Sequence, residues 1–181
     1  NFFANAARCY VEERKSSDET ILIGAQAGFT SDLANRARVT AGASYYAYDE
    51  AKGRPPFFFK HGNQFDANGN YLNNFNLVEL FAQLDFEAGG HPVRIFADFV
   101  TNTEANTYSD GYSYGVFYRD ASEPGTWDVG YTYQDLEADA VIGTFTDSDW
   151  GGGGTDAKGH SFMASYIMRG GWNLGLRYIV A

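Results

Sequence analysis

Cysteine, histidine, proline and long apolar runs are all scarce in this chain, and each scarcity closes off a class of answer. The single cysteine, Cys9, can form no intrachain disulfide and has no second Cys or nearby His with which to hold a metal. The three histidines, His61, His91 and His160, are far apart in sequence and show none of the close spacings of a metal centre. Basic residues are outnumbered, with 13 Lys and Arg against 23 Asp and Glu. The resulting charge of −10 repels nucleic acid, and no dense basic cluster offsets it. No apolar run approaches the roughly 20 residues that a membrane-spanning helix requires, so any bilayer crossing must be made by strands. The opening residues, NFFANAARCYVEERK, lack the basic start, apolar centre and small-residue cleavage site of a signal peptide. The expectation is that a leader was removed upstream or that the chain is an internal piece.

What the chain has in abundance is glycine and aromatic residues: 21 Gly, 13 Tyr, 15 Phe and 3 Trp, within a 44% hydrophobic composition. That mixture favours strands over helices. Period-two alternation bears this out along the chain. In residues 76 to 86, Val78, Leu80, Ala82, Leu84 and Phe86 share one face and Glu79, Gln83 and Asp85 the other, interrupted only by Phe81. The pattern recurs at 20 to 29 and at 38 to 48, where Val39, Ala41, Ala43, Tyr45 and Ala47 oppose Arg38, Thr40, Gly42 and Ser44. It returns in Val93, Ile95, Ala97 and Phe99, in Tyr112, Tyr114, Val116 and Tyr118, and in Trp127, Val129, Tyr131 and Tyr133. Two last segments carry Phe162 to Met168 and Trp172 to Val180. With residues 2 to 12 this predicts about nine strands, linked too closely for βαβ crossovers and therefore an antiparallel meander in a single domain.

The links alternate in length. Tight ones fall at Asp32 to Arg36, Ala88 to His91, Ser122 to Thr126 and Gly170-Gly171; longer ones at Glu13 to Glu19, Asp49 to Asn74, Asn102 to Asp110 and Thr146 to Lys158. Short turns at one rim and long loops at the other describe a transmembrane β-barrel. Aromatic residues repeat the theme. Trp127, Trp172, Phe29 and Phe86, with Met168, sit beside short turns, and Tyr45, Phe99, Tyr112 and Tyr133 towards long loops, as in two interfacial girdles.

The opposite face carries Glu79, Asp85, Asp98, Asp128, Glu137 and Asp139 together with Arg38, Arg94, Arg119 and Arg177. Burying so many charges would cost several kcal/mol per ion even when paired, so this face must be wet. If the outside is lipid, these ten residues line the lumen. Six acids against four arginines predict a mild cation preference. A soluble lipocalin-like barrel binding a small ligand would share the meander but needs an apolar interior, which the charged face denies.

Two stretches, NFNLVELFAQLDFEAGGHPVRIFADFVTNTEA and GTWDVGYTYQDLEADAVIGTFTDSDWGGGGTDAKGHSFMASY, resemble the bacterial putative-porin family, with likeness from about Ala4 to Val180. The resemblance implies a bacterial outer-membrane barrel of about sixteen strands, of which this chain matches the later part. It implies an outer-membrane porin, with passive diffusion of small hydrophilic solutes or ions, no enzyme activity and no cofactor. The implied partners are outer-membrane lipid and lipopolysaccharide, the barrel assembly machinery and the solutes, with a homotrimer as one arrangement. The chain stops at Tyr178-Ile179-Val180-Ala181 rather than on a terminal aromatic, and an odd strand count suits no closed bacterial barrel, which points to a piece of a longer protein.

Other motifs read weakly. GGGGTD at 151 to 156, with Asp147, Asp149 and Asp156, mimics one calcium-binding β-helix repeat, but such repeats bind between stacked copies and there is no second. Asp66, Asn68 and Asn70 open like an EF-hand whose glycine is displaced and whose twelfth position is Leu77. Ser161 in GHSFM lacks the G-x-S-x-G elbow, leaving a barrel-embedded hydrolase as a remote alternative.

Overall fold

The computed structural model describes residues 1–12, 19–33 and 36–181. Nine strands run in chain order: β1 (Phe2–Glu12), β2 (Thr20–Asp32), β3 (Arg38–Tyr48), β4 (Phe75–Ala88), β5 (His91–Asn102), β6 (Asp110–Arg119), β7 (Trp127–Leu136), β8 (Ala157–Ile167) and β9 (Asn173–Val180). Each pairs antiparallel with its neighbours, in the spatial order β1 to β9. The described residues contain no α-helix; a short 3₁₀ turn stands at Gly143–Phe145. The protein is thus an all-β antiparallel meander, with β1 and β9 as the free edges of the described sheet.

The hairpin expected through AGGH is present: β4 and β5 pair Ala88 with His91 across Gly89 and Gly90. Both glycines have positive φ, 62° and 76°, which the two central positions of the twist-matched hairpin turn demand and which residues with a Cβ adopt reluctantly. Short links also join β6 to β7 and β8 to β9, while 49–74 and 137–156 form long loops at the opposite rim. The expected loop at Glu13 to Glu19 and part of the turn at Asp32 to Arg36 lie outside the described residues. The last long loop begins earlier than the sequence suggests. β7 stops at Leu136, so Glu137 and Asp139 are loop residues rather than strand residues.

The register sorts side chains cleanly because facing residues of an antiparallel pair share a side of the sheet. Leu80, Phe99 and Tyr112 lie in one row, and Leu84, Ile95, Val116, Tyr131 and Phe162 in another. This apolar face is left bare, with Leu80 54% and Phe162 48% exposed. A contiguous surface of that kind far exceeds the patches that water-soluble proteins present.

The other face solves a different packing problem. Phe81, the residue that broke the alternation of β4, lies on the polar side and its ring rests on Gly42 of β3; a Cβ there would stand 2.6 Å from Phe81 Cζ and 2.6 Å from the carbonyl oxygen of Ala27. Phe3 over Gly28 and Phe96 over Gly115 repeat the arrangement. The hydrophobic core proper is elsewhere, in a cap: Ala51, Phe57 and Tyr71 of the first long loop and Ile142 of the second bury themselves against Phe75 and Leu77 of β4. Tyr46, Tyr48 and Val100, which project from the polar side of β3 and β5, complete it, so both loops fold over the polar face.

Gly42→Ala should therefore lower stability by about 1–3 kcal/mol through overpacking, whereas Gly175→Ala, with nothing within 4 Å of its added Cβ, should be neutral or mildly stabilising. Urea titration of the folded protein in detergent checks the pair; equal effects would refute the packing role assigned to Gly42.

Candidate functional site

One row of the polar face runs through Arg38, Asp85, Arg94, Phe117, Gly130, Met163 and Arg177, crossing from β3 to β9. Opposite charges on adjacent strands meet within it. Arg94 Nε donates to Asp85 Oδ1 at 2.8 Å, and Arg38 Nε to Asp32 Oδ1 at 2.7 Å, with Asp32 facing Arg38 from β2. Two rows nearer the long loops stands Asp98, level with Phe81, Ser113 and Gln134, and one row further Glu79, level with Ser44 and Val100. Asp128 occupies the same face near the short-turn rim, opposite the last residue of β6, and accepts the N–H of Ala121 at 3.2 Å. Arg38, Glu79, Asp85, Arg94, Asp98, Asp128 and Arg177 thus share one side of the sheet.

The remaining three of the ten do not join them. Arg119 ends β6 with φ of 72°, which breaks the alternation. Its Nη2 donates to His91 Nε2 at 2.9 Å and its guanidinium lies 4.1 Å from the centre of the Trp127 ring. Trp127 faces Tyr166 on the apolar side, so the Arg119 head group belongs to an aromatic cluster at the short-turn rim. Glu137 accepts the N–H of Asp110 at the mouth of its loop. Asp139 is 1% exposed: Oδ1 accepts the N–H of Gln64 at 3.0 Å and Oδ2 the amide of Asn73 at 2.8 Å. It pins one long loop to the other. An alternating strand pattern cannot reveal this, because the residue had already left the strand.

Asn63 acts beside it. Its Nδ2 donates to the carbonyls of Ala138 and Val141, both at 2.7 Å, and its Oδ1 accepts the N–H of Gly143 at 2.8 Å. Thr155 donates to the Ala138 carbonyl, and Asn102 of β5 to those of Asn74 and Asp139. These side chains carry the cap, and none stood out in the sequence, since a lone Asn or Thr in a loop has no periodic signature. The loop tip then reaches the row of charges: Arg177 Nη2 donates to Asp147 Oδ2 at 2.8 Å, with Asp149 at 3.9 Å. The backbone N–H of Asp149 and the Arg177 guanidinium hold the Asp147 carboxyl below the usual carboxylate range.

That contact answers the calcium reading of Asp147, Asp149 and Asp156. An arginine sits on the first two, and Asp156 stands apart as an exposed, positive-φ residue ahead of β8. Asp66 spends its Oδ1 on the N–H groups of Asn68 and Asn70, at 2.8 and 2.9 Å, which makes the EF-hand-like stretch an Asx turn. The hydrolase alternative meets a similar obstacle. Ser161 is 1% exposed and bonds Arg177, while the adjacent His160 is on the opposite face, bonded to the Tyr131 hydroxyl.

A sheet with one bare apolar side and one charged side, capped by loops from a single rim, defines a membrane-embedded β-barrel protein of the porin type. The family model described as Putative porin matches residues 57–181, more than half of the chain, and the chain belongs to that family. No curated protein and no solved structure matches it.

Two outcomes follow for the cap. Asp139→Ala leaves the Gln64 N–H and the Asn73 amide buried without their acceptor, at a cost of about 1–3 kcal/mol, and should expose 49–74 to limited proteolysis and hydrogen exchange while the strands stay protected. Because the Asp147 pKa is lowered, its pairing with Arg177 stabilises the loop at and above the ordinary carboxylate range and is lost only as pH falls through the lowered value. Exchange in 143–154, corrected for intrinsic rates, should then be flat between about pH 8 and 5, with Asp147→Asn raising it throughout. A loop that loosens near pH 6 would contradict the assignment.

Proposed function

We propose that this chain forms part of the wall of a bacterial outer-membrane pore, through which small hydrophilic solutes and ions diffuse passively down their gradients. The observation that carries the reading is the division of one sheet into a bare apolar face and a face with seven charged residues in register. Side chains that must stay hydrated occupy the side that the loops cover, and side chains that water would expel occupy the side that nothing covers. In a membrane that places the charges around an aqueous lumen and the Leu, Phe, Tyr and Val residues against lipid. The aromatic residues near both rims then lie at the two headgroup layers. No chemistry and no cofactor are needed, since transport is set by lumen width and charge.

The loop 137–156 narrows that lumen. Thr146 and Asp147 line a cavity of about 250 Å³ together with Glu79, Asp98, Ser113 and Gln134, so the loop tip stands over the strands instead of pointing away from the rim. The Arg177 to Asp147 bond fastens it there. Outer-membrane lipid and lipopolysaccharide are the surroundings this reading supplies, with delivery by the barrel assembly machinery and a homotrimer as the assembly to look for.

Lumen charge sets the ion preference. Of the seven residues on the polar face four are acids and three are arginines, and the arginines are engaged by Asp32, Asp85 and Asp147. Glu79, Asp98 and Asp128 have no Lys or Arg within ion-pairing distance among the described residues. The full-length protein in a planar bilayer under a tenfold KCl gradient should show a small cation-directed reversal potential, fading as salt approaches 1 M and the screening length falls to about 3 Å. Anion selectivity persisting at low salt, or no conductance at all, would overturn the reading.

A further inference from the structure

The polar face holds a site of a kind that bulk diffusion does not require. A cavity of about 320 Å³ is walled by the rings of Phe3, Tyr46, Phe81 and Phe96 and by the carboxylates of Glu79 and Asp98. It adjoins the cavity under the loop tip, with which it shares Tyr46, Glu79 and Asp98. The phenyl rings are seated in a particular way. Phe3, Phe81 and Phe96 each lie over a glycine of a neighbouring strand, Gly28, Gly42 and Gly115, and a Cβ at any of the three would come within 2.6 Å of the ring. None of these glycines has positive φ; a side chain is excluded by the ring and by an equally close backbone carbonyl, that of Ala41, Ala27 or Tyr131. A ring lying flat on the sheet presents a π-face to the open side. Phe3 and Phe81 stack with centroids 6.5 Å apart and an interplanar angle of 25°, which makes the first pair one continuous platform.

The acids beside this platform differ from Asp32 and Asp85 on the row nearer the short turns, which are ion-paired. Ion pairs among the described residues engage Asp32, Asp85, Glu87 and Asp147 with arginines, whereas neither Glu79 nor Asp98 has a Lys or Arg within pairing distance. Glu79 receives the Tyr46 hydroxyl at 3.4 Å and lies within hydrogen-bonding reach of the Asp98 carboxyl, so the two acids form a pair. The remaining polar groups of the wall, Gln26 and Gln83, are neutral. Two carboxylates with no counter-cation, set against aromatic faces, are complementary to one class of solute: an ammonium carried on a hydrocarbon body. The ring quadrupoles attract the cation from the side, the carboxylates supply the charge, and the platform takes the methyl or methylene groups. A metal ion would gain nothing from the rings, and an anion would be repelled.

We infer that Glu79, Asp98 and the Phe3–Phe81–Phe96 platform form a binding site for small organic cations within the lumen. The inference rests on the pore reading for its setting, and the test separates the two. The full-length protein is reconstituted in planar bilayers in KCl, and choline is added, with glucose as the neutral comparison. Choline should reduce the potassium current saturably, and glucose should not. Glu79→Gln with Asp98→Asn should weaken the choline effect by at least about tenfold, and Phe81→Leu with Phe96→Leu by about three- to tenfold while leaving the reversal potential in KCl unchanged. Titration calorimetry of choline into the folded protein in detergent reads the same site without conduction. A pore that conducts but shows no choline binding refutes the site and spares the pore reading; binding without conductance does the reverse. Choline inhibition unmoved by the phenylalanine substitutions, or glucose inhibition that depends on them, would also overturn the assignment.

Discussion

Everything in this structure depends on backbone hydrogen bonding between neighbouring strands. In hydrocarbon an unpaired N–H or C=O costs several kcal/mol, so a chain without a long apolar helix can cross only as strands whose polar groups are answered by the strand on either side. The registers from β1 through β9, shifted between Tyr10 and Glu12 of β1, meet that demand between neighbouring strands. Once the ladder is in place, side-chain direction is no longer free: successive residues must go to opposite sides. A single sequence therefore writes two surfaces at once, and the solvent on each side selects its own set.

The two surfaces are finished by different means. The apolar face is left bare by the described residues. The polar face cannot be packed like a core, yet an open trough of charges would leave loops, rings and ions without defined positions. Glycines on neighbouring strands let phenyl rings lie close to the sheet, arginines tie acids across strands, and two long loops build their own hydrophobic cluster over Phe75 and Leu77. Asn63 and Asp139 then hold backbone that has no strand to pair with, the task that buried amides and carboxylates perform wherever irregular chain is enclosed.

The strands were legible in the sequence because their period of two is repeated nine times and interrupted rarely. That period places Arg38, Glu79, Asp85, Arg94, Asp98, Asp128 and Arg177 on one side of the sheet, where the register has them. Arg119 does not join them, because a positive φ at the end of β6 redirects it, and nothing in the letters announces such a residue. Glu137 and Asp139 do not either, because an alternating pattern can run on into a loop by chance, and the strand ended at Leu136. Phe81 looked like an error in an otherwise regular strand; the glycine opposite it, Gly42 of β3, explains why a phenyl is accepted on the wet side. The loop clamp was the least legible element. Its bonds join residues 63 to 138 and 64 to 139, and contacts at such separations leave no local imprint.

Those separations also set an order of events. The cap takes its acceptors and donors from residues on both sides of β4 to β7, with bonds spanning 75 to 94 positions. It cannot close until four intervening strands have found their places, since the entropy lost in such loops is recovered only when the ladder already holds the ends together. The sheet is thus in place before the cap that covers its polar face can form.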